Sequence, residues 1–115
     1  MYVNSERTPD SFVISIEGDI DATTSILVDN EISKIYDLPL KNLWIDCCQV
    51  KYISSAGVGV FISHLQKLKK HKINMTLYGL KPKLKSIFKV LGLEHYLSLQ
   101  PEFKDLADQT VEDLD

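Results

Sequence analysis

Short runs of β-branched and aromatic residues alternate along the chain with longer segments of helical periodicity. Runs that end at Gly or Pro are typical of strands, and apolar spacings of three and four are typical of helices. Strands are predicted at residues 12–17, 42–46, 73–78 and 96–99, with a further edge strand at residues 2–5. Helices are predicted at residues 21–36, 55–71, 82–91 and 103–114. The alternation predicts a single α/β domain over residues 1–115, with a mixed sheet of four to five strands and about four helices.

The apolar positions of each predicted helix indicate which face is buried. The first helix, capped by Asp21 or Thr23, carries an imperfect stripe of Ile26, Leu27, Ile32 and Ile35. The second presents Val58, Phe61, Ile62, Leu65 and Leu68, and the third Leu84, Ile87, Phe88 and Leu91. The opposite side of the second helix carries Val60, His64, Lys67 and His71. Val60 is thus an apolar residue predicted to point away from the core, which makes it a candidate contact point.

Composition places the chain among soluble globular proteins. It is 44% hydrophobic and 25% charged, and no apolar run approaches the roughly 18–20 residues that a membrane-spanning helix needs. The N-terminus has no apolar segment of the kind that signal peptides carry. We therefore expect a cytoplasmic protein with no direct membrane insertion. The net charge of −3 argues against nucleic acid as a partner.

Charge is unevenly distributed along the sequence. Residues 67–89 contain eight lysines and no acidic residue, whereas residues 102–115 carry six acidic residues against one lysine. Such runs are usually solvated faces. The lysine-rich stretch is also compatible with an acidic protein partner or with anionic lipid headgroups.

The sequence lacks the motifs of common enzyme classes. It contains no glycine-rich phosphate loop and no Gly-x-Ser-x-Gly nucleophile turn. Cys47 and Cys48 are adjacent at the end of a predicted strand, where small buried thiols are expected, and the three histidines are not spaced with them as metal ligands would be. We expect neither enzymatic activity nor a metal or other cofactor.

The most informative segment is residues 50–61, where two serines precede a helix that contains two early glycines. A serine hydroxyl there can cap the first helical turn. Gly57 and Gly59 each cost the helix about 1 kcal/mol relative to alanine, so a close backbone approach is expected, either by neighbouring chain or by a partner. Capping and tight packing alone would also explain the segment.

Three blocks of sequence together resemble a known family. They are Ile-Glu-Gly-Asp-Ile-Asp at residues 16–21, Leu-Trp-Ile-Asp at residues 43–46 and Tyr-Ile-Ser-Ser-Ala-Gly-Val-Gly-Val at residues 52–60, and the later Gly92-Leu93 also matches. This chain resembles the STAS (sulphate transporter and anti-sigma factor antagonist) domain, and most closely the free-standing bacterial anti-sigma factor antagonists. The resemblance covers nearly the whole chain and implies a STAS-like fold.

The resemblance also implies a function, that of a protein-binding module rather than an enzyme. An unphosphorylated antagonist binds an anti-sigma factor that is also a serine kinase of the histidine-kinase-like ATPase fold, and so releases a sigma factor. The kinase ends binding by phosphorylating a serine at the start of the second helix, and a PP2C-type phosphatase restores it. Alignment on Gly57 assigns the acceptor to Ser55, with Ser54 as the second candidate. The commoner family pattern has Asp at the position of Ser54 and a second hydroxyl at that of Ala56.

The partner-binding surface implied by these residues surrounds the serine turn. Its candidate members are Asp19, Asp21, Ser54, Ala56, Gly57, Val58, Gly59, Val60, His64 and Lys67. The main alternative keeps the fold and changes the role, because STAS domains also serve as docking subunits of lipid-transport ATPases and of stress-signalling scaffolds. In that case the second helix is a constitutive docking surface and Ser55 is only a cap.

Overall fold

A computed structural model describes residues 2–100 of the chain as five strands and three α-helices. The predicted helix at residues 103–114 lies outside the described residues. In chain order the elements are β1 (Tyr2–Arg7), β2 (Ser11–Glu17), α1 (Ser25–Ser33), β3 (Asn42–Gln49), α2 (Ser55–Lys70), β4 (Asn74–Tyr78), α3 (Pro82–Val90), a 3₁₀ turn (Leu93–His95) and β5 (Ser98–Gln100). The predicted α/β fold and mixed sheet are confirmed.

The sheet follows sequence order, β1-β2-β3-β4-β5, with β1 antiparallel to β2 and all other neighbours parallel. Connections between neighbouring parallel strands are almost always right-handed, and three such steps in the same direction carry the connecting helices to one face of the sheet. The buried cluster agrees, since it joins Ile14, Ile45 and Leu77 of the strands to Val28, Phe61 and Phe88 of the helices. Helix α2 thus lies between α1 and α3.

The first helix differs most from its predicted boundaries. It begins at Ser25 rather than near Asp21 or Thr23, and Thr24 is its N-cap residue. The Asp21 carboxylate instead accepts hydrogen bonds from the backbone N–H groups of Thr23 and Thr24, both at 2.9 Å. Asp21 and Thr24 therefore stabilise a turn that comes before the helix.

Several residues that the periodicity assigned to the core are exposed. Val28 and Ile32 are the buried apolar residues of α1, whereas Ile26 and Leu27 face solvent. Ile62 on α2 and, at the end of α3, Ile87 and Leu91 are exposed as well. Each helix therefore buries a narrower apolar stripe than its sequence offers.

The paired cysteines have different environments. Cys47 belongs to the buried cluster, as predicted, and burial raises the pKa of its thiol, followed by a smaller effect of Asp46. Cys48 is exposed, so the prediction of a buried thiol there is wrong. Successive strand residues point to opposite faces, and Cys48 projects from the face away from the helices.

Candidate functional site

The serine turn before α2 is built from two loops joined by backbone hydrogen bonds. Gly18 N–H donates to the Gln49 carbonyl at 3.0 Å, and Ile20 N–H donates to the Tyr52 carbonyl at 2.9 Å. The Ser54 N–H then donates to the Ile20 carbonyl at 2.8 Å, and Ile20 and Ile53 form an isolated parallel bridge. These bonds continue the pairing of β2 and β3 beyond the sheet and give the start of α2 a defined position.

The two serines have separate roles in this turn. Ser54 is the N-cap residue, with extended backbone angles (φ −78°, ψ 171°), and its Oγ accepts a hydrogen bond from Gly57 N–H at 3.1 Å. Ser55 is the first residue of α2, and it is exposed. The capping hydroxyl therefore belongs to Ser54, and the side chain of Ser55 is open to modification or contact.

The two glycines of the first turns also differ. A Cβ at Gly57 would lie 2.8 Å from Ile20 Cγ2, 2.9 Å from Ile53 Cγ2 and 3.1 Å from the Ile20 carbonyl oxygen. A Cβ at Gly59 would meet no atom within 4 Å. Gly57 thus permits close approach of neighbouring chain, the first of the two explanations that the sequence allowed. Gly59 is exposed and leaves open space beside Ser55.

The acidic residues of the β2–α1 loop lie next to this turn. Asp19 and Asp21 flank Ile20, whose backbone bonds to Tyr52 and Ser54, and both aspartates are exposed. Hydrogen bonds from Thr24, first from its backbone N–H and then from its hydroxyl, lower the pKa of Asp21 below its ordinary value. Asp21 therefore keeps its negative charge beside the serine turn at neutral pH and somewhat below it.

A groove of about 630 Å³ opens between the start of α2 and the exposed side of α3. Its α2 side is formed by Ser55, Val58, Gly59 and Ile62, after the preceding residues Tyr52, Ile53 and Ser54. Its α3 side is formed by Ser86, Ile87, Val90 and Leu91. The sequence predicted Ser54, Ser55, Val58 and Gly59 as site members but missed Tyr52, Ile53, Ile62 and the α3 residues. The available signal was Val90, an apolar residue outside the predicted stripe of α3.

The other predicted contact residues lie on the side of α2 that faces α1. The prediction of an exposed His64 is wrong, because the side chain is buried between the two helices. Its Nε2 donates to Asp29 Oδ1 at 2.6 Å, and its Nδ1 lies 2.7 Å from the Tyr36 hydroxyl. Lys67 places its ammonium group 4.4 Å from the centre of the Tyr36 ring. Val60 is half-buried and packs against the core cluster, so the prediction that it points away from the core is wrong. This side of α2 holds α1 in place.

The geometry is that of a binding surface. Across residues 2–100, no group of three His, Cys, Asp or Glu side chains could hold a metal ion. None of the helices between Tyr2 and Gln100 is both long and apolar enough to cross a membrane. The site offers an exposed serine hydroxyl, a neighbouring acidic loop and an apolar groove.

The chain is similar to known proteins in both sequence and fold. The STAS domain family matches residues 2–108. The anti-sigma-B factor antagonist of Listeria monocytogenes is 31% identical over 96 residues, which cover 83% of each chain. A crystal structure of an anti-sigma factor antagonist from Mycobacterium paratuberculosis superposes with a TM-score of 0.77 at 22% identity, covering 99% of this chain and 94% of that one.

A further structure has the same fold in a modified state. The Bacillus cell fate determinant SpoIIAA in its phosphorylated form superposes with a TM-score of 0.70 at 16% identity. The superposition covers 99% of this chain and 100% of that one. The family match extends over most of the chain, and the curated relative is 31% identical over the 96 aligned residues. The resemblance inferred from the sequence blocks is confirmed, and this chain belongs to the STAS domain family.

Proposed function

We propose that this chain is an anti-sigma factor antagonist whose binding is switched by phosphorylation of Ser55. The unphosphorylated form binds an anti-sigma factor that is a serine kinase of the histidine-kinase-like ATPase fold, and so releases a sigma factor in the cytoplasm. The kinase inactivates it by phosphorylating Ser55, and a PP2C-type phosphatase restores it. The observation that carries the proposal is the difference between the two serines of the turn, since Ser54 caps the helix and Ser55 is exposed.

The relatives support the same role. A protein named as an anti-sigma-B factor antagonist is 31% identical to this chain, and a structural relative is described in a phosphorylated form. The assignment of the cap to Ser54 also weighs against the alternative of a docking subunit, in which Ser55 would be only a cap.

The start of α2 can accept a phosphate without unfolding. A phosphoserine carries about −1.5 to −2 charges and three acceptor oxygens. At the first residue of a helix it lies beside N–H groups that have no intrahelical acceptor, where the helix dipole stabilises an anion by about 0.3–1 kcal/mol. The bonds that join Ile20 to Tyr52 and Ser54 lie outside the modified side chain. We therefore expect the modified chain to remain folded.

The phosphate acts instead on whatever covers the turn. Unmodified Ser55 is neutral and lies beside the open space at Gly59. A phosphate would fill that space with a hydrated dianion, next to the charged Asp21 loop. A partner that buries this turn would have to bury an unpaired charge, which costs several kcal/mol. Partner binding is thus lost while the fold persists.

The test compares Ser55→Ala with Ser55→Glu as baits in the native host, with bound proteins identified by mass spectrometry. Ser63→Glu, on the same helix at an exposed position outside the groove, is the charge control. We expect Ser55→Ala and Ser63→Glu to retain a histidine-kinase-like ATPase and Ser55→Glu to lose it. With the purified kinase and ATP, Ser54→Ala should still be phosphorylated and Ser55→Ala should not. Capture of the same transporter or scaffold subunits by all three baits would establish constitutive docking.

A further inference from the structure

We infer that the groove between α2 and α3 receives an apolar segment of the partner kinase that is flanked by acidic residues. This inference rests on the proposed function and extends the partner-binding surface to α3, which the sequence did not include. It would make the groove the anchoring part of the interface and Ser55 the switch at its end.

The exposed apolar side chains of α3 and α2 are concentrated at this groove. Val90 is 85% exposed, Leu91 54% and Ile62 45%, and Tyr52 and Ile87 are exposed beside them. A single exposed apolar residue is ordinary on a protein surface. Several large ones that line one depression are typical of an interaction site, because their joint exposure to water is unfavourable.

The shape of the site favours a protein segment over a membrane. The depression holds about 630 Å³, within the range of about 300–1,000 Å³ that enclosed ligands and anchoring side chains occupy. A lipid surface meets a protein at convex, protruding residues, and it would leave a groove of this size unfilled. Projecting apolar side chains of a partner helix or loop can fill it.

Charge specifies the flanks of that segment. Lys83 lies four residues before Ile87 and seven before Val90, so helical spacing puts it on the same side of α3 as these two groove residues. None of the residues that line the groove is acidic, and residues 67–89 contain no Asp or Glu. A partner segment with acidic residues beside its apolar anchor would therefore complement the rim, and salt would weaken the pairing.

The groove is continuous with the proposed switch. Ser55 and Gly59 line it together with Val90, so one partner segment can contact all three. The open space at Gly59 lets a partner backbone approach α2 closely. A phosphate on Ser55 would then stand at one end of the groove, where it repels the acidic flank of the partner. Phosphorylation of Ser55 would thus prevent binding at both the serine turn and the groove.

The experiment measures affinity for the purified kinase that Ser55→Ala captures. Val90→Asp should weaken binding by about tenfold or more, as expected for a central apolar anchor. Lys83→Glu should weaken it by about threefold, and the difference should shrink as ionic strength rises. The matched controls are Leu27→Asp, an exposed apolar residue of α1, and Lys89→Glu, a lysine of α3 that borders a different depression together with Lys85 and Glu94. Both should bind within about twofold of wild type, and urea unfolding verifies that every variant folds.

The possible results separate the two proposals. If Ser55→Glu loses the kinase and Val90→Asp binds it as wild type does, the groove inference is overturned and the switch stands. If Val90→Asp loses the kinase and Ser55→Glu retains it, the groove is an anchor and the switch is overturned. If wild type sediments with phosphatidylglycerol vesicles and Val90→Asp does not, while kinase affinity is unchanged, the groove side is a lipid contact and the inference fails. Failure of wild type and Ser55→Ala to capture any kinase overturns both.

Discussion

Alanine substitutions at Gly57 and Gly59 are expected to change stability in opposite directions. Both residues lie within the first turns of α2, so both gain about 1 kcal/mol or slightly less from the higher helix propensity of alanine. The difference comes from packing alone. At Gly59 the added methyl group meets no atom within 4 Å, so the gain is retained. We expect Gly59→Ala to be more stable than wild type by about 0.5–1 kcal/mol.

At Gly57 the added methyl group has no room. It would lie 2.8 Å and 2.9 Å from the Cγ2 atoms of Ile20 and Ile53, which branch directly from stiff, buried side chains. It would also lie 3.1 Å from the Ile20 carbonyl oxygen, which accepts the Ser54 N–H and cannot move without breaking that bond. Overpacking costs about 1–3 kcal/mol, and three contacts that are all too close place this site in the upper part of that range, about 2–3 kcal/mol, against a propensity gain of about 1 kcal/mol. Gly57→Ala should therefore lose about 1–2 kcal/mol.

The assay is urea unfolding followed by the fluorescence of Trp44, the single tryptophan, which is buried in β3. The two variants should differ by about 2 kcal/mol in the free energy of unfolding, and their thermal midpoints by several degrees. A second readout is partner affinity, which Gly59→Ala should lower because Gly59 lines the groove. Equal stabilities of the two variants would refute the packing argument, as would a Gly59→Ala protein less stable than wild type.

Two further predictions concern the cap and the contact between α1 and α2. Ser54→Ala removes the acceptor of the Gly57 N–H and should lower the free energy of unfolding by about 1 kcal/mol, whereas Ser55→Ala should change it by less than about 0.5 kcal/mol; urea titration measures both. Burial, with a smaller effect of Asp29, raises the pKa of Tyr36 to about 12, from about 10 in an unfolded chain. Because the folded state then favours the neutral phenol, the contribution of Tyr36 to the free energy of unfolding is fully present below pH 10. That contribution is lost as pH rises from 10 to 12. Tyr36→Phe should flatten that part of the stability–pH curve, and an unchanged slope would contradict it.

The sequence was sufficient for the order of elements and for the position of the serine turn. Strand periodicity, glycine breaks and the two-serine start of α2 are local signals, and the structure has the corresponding strands and helix close to the expected boundaries. The separate roles of Ser54 and Ser55 could not be predicted from local sequence signals. The assignment of the cap depends on the backbone angles at Ser54, which are set by the bond from its N–H to Ile20, more than thirty residues earlier.

The buried faces of the helices could not be predicted in full, because periodicity identifies an apolar stripe but not the elements that pack against it. The stripe of α2 contains both Phe61, which is fully buried, and Ile62, which is exposed at the groove. His64 lies on the polar side of the same pattern, yet it is buried because α1 supplies Asp29 and the turn after α1 supplies Tyr36 as partners. The crossing of α1 over α2 is a tertiary property, and it determines which polar residues are covered and which apolar residues remain exposed.

The contacts on the two sides of α2 are consistent with the proposed switch, in which a charge at Ser55 would control binding without unfolding the helix. On one side, His64 and Tyr36 fasten α2 to α1. At the N-terminus, Gly57 brings the helix against Ile20, and the turn is bonded to the neighbouring loop. The remaining side is open along the groove. A phosphate on Ser55 therefore meets a helix that is held at one face and one end. In the proposed switch, the effect of the phosphate would therefore fall on the surface that a partner would cover.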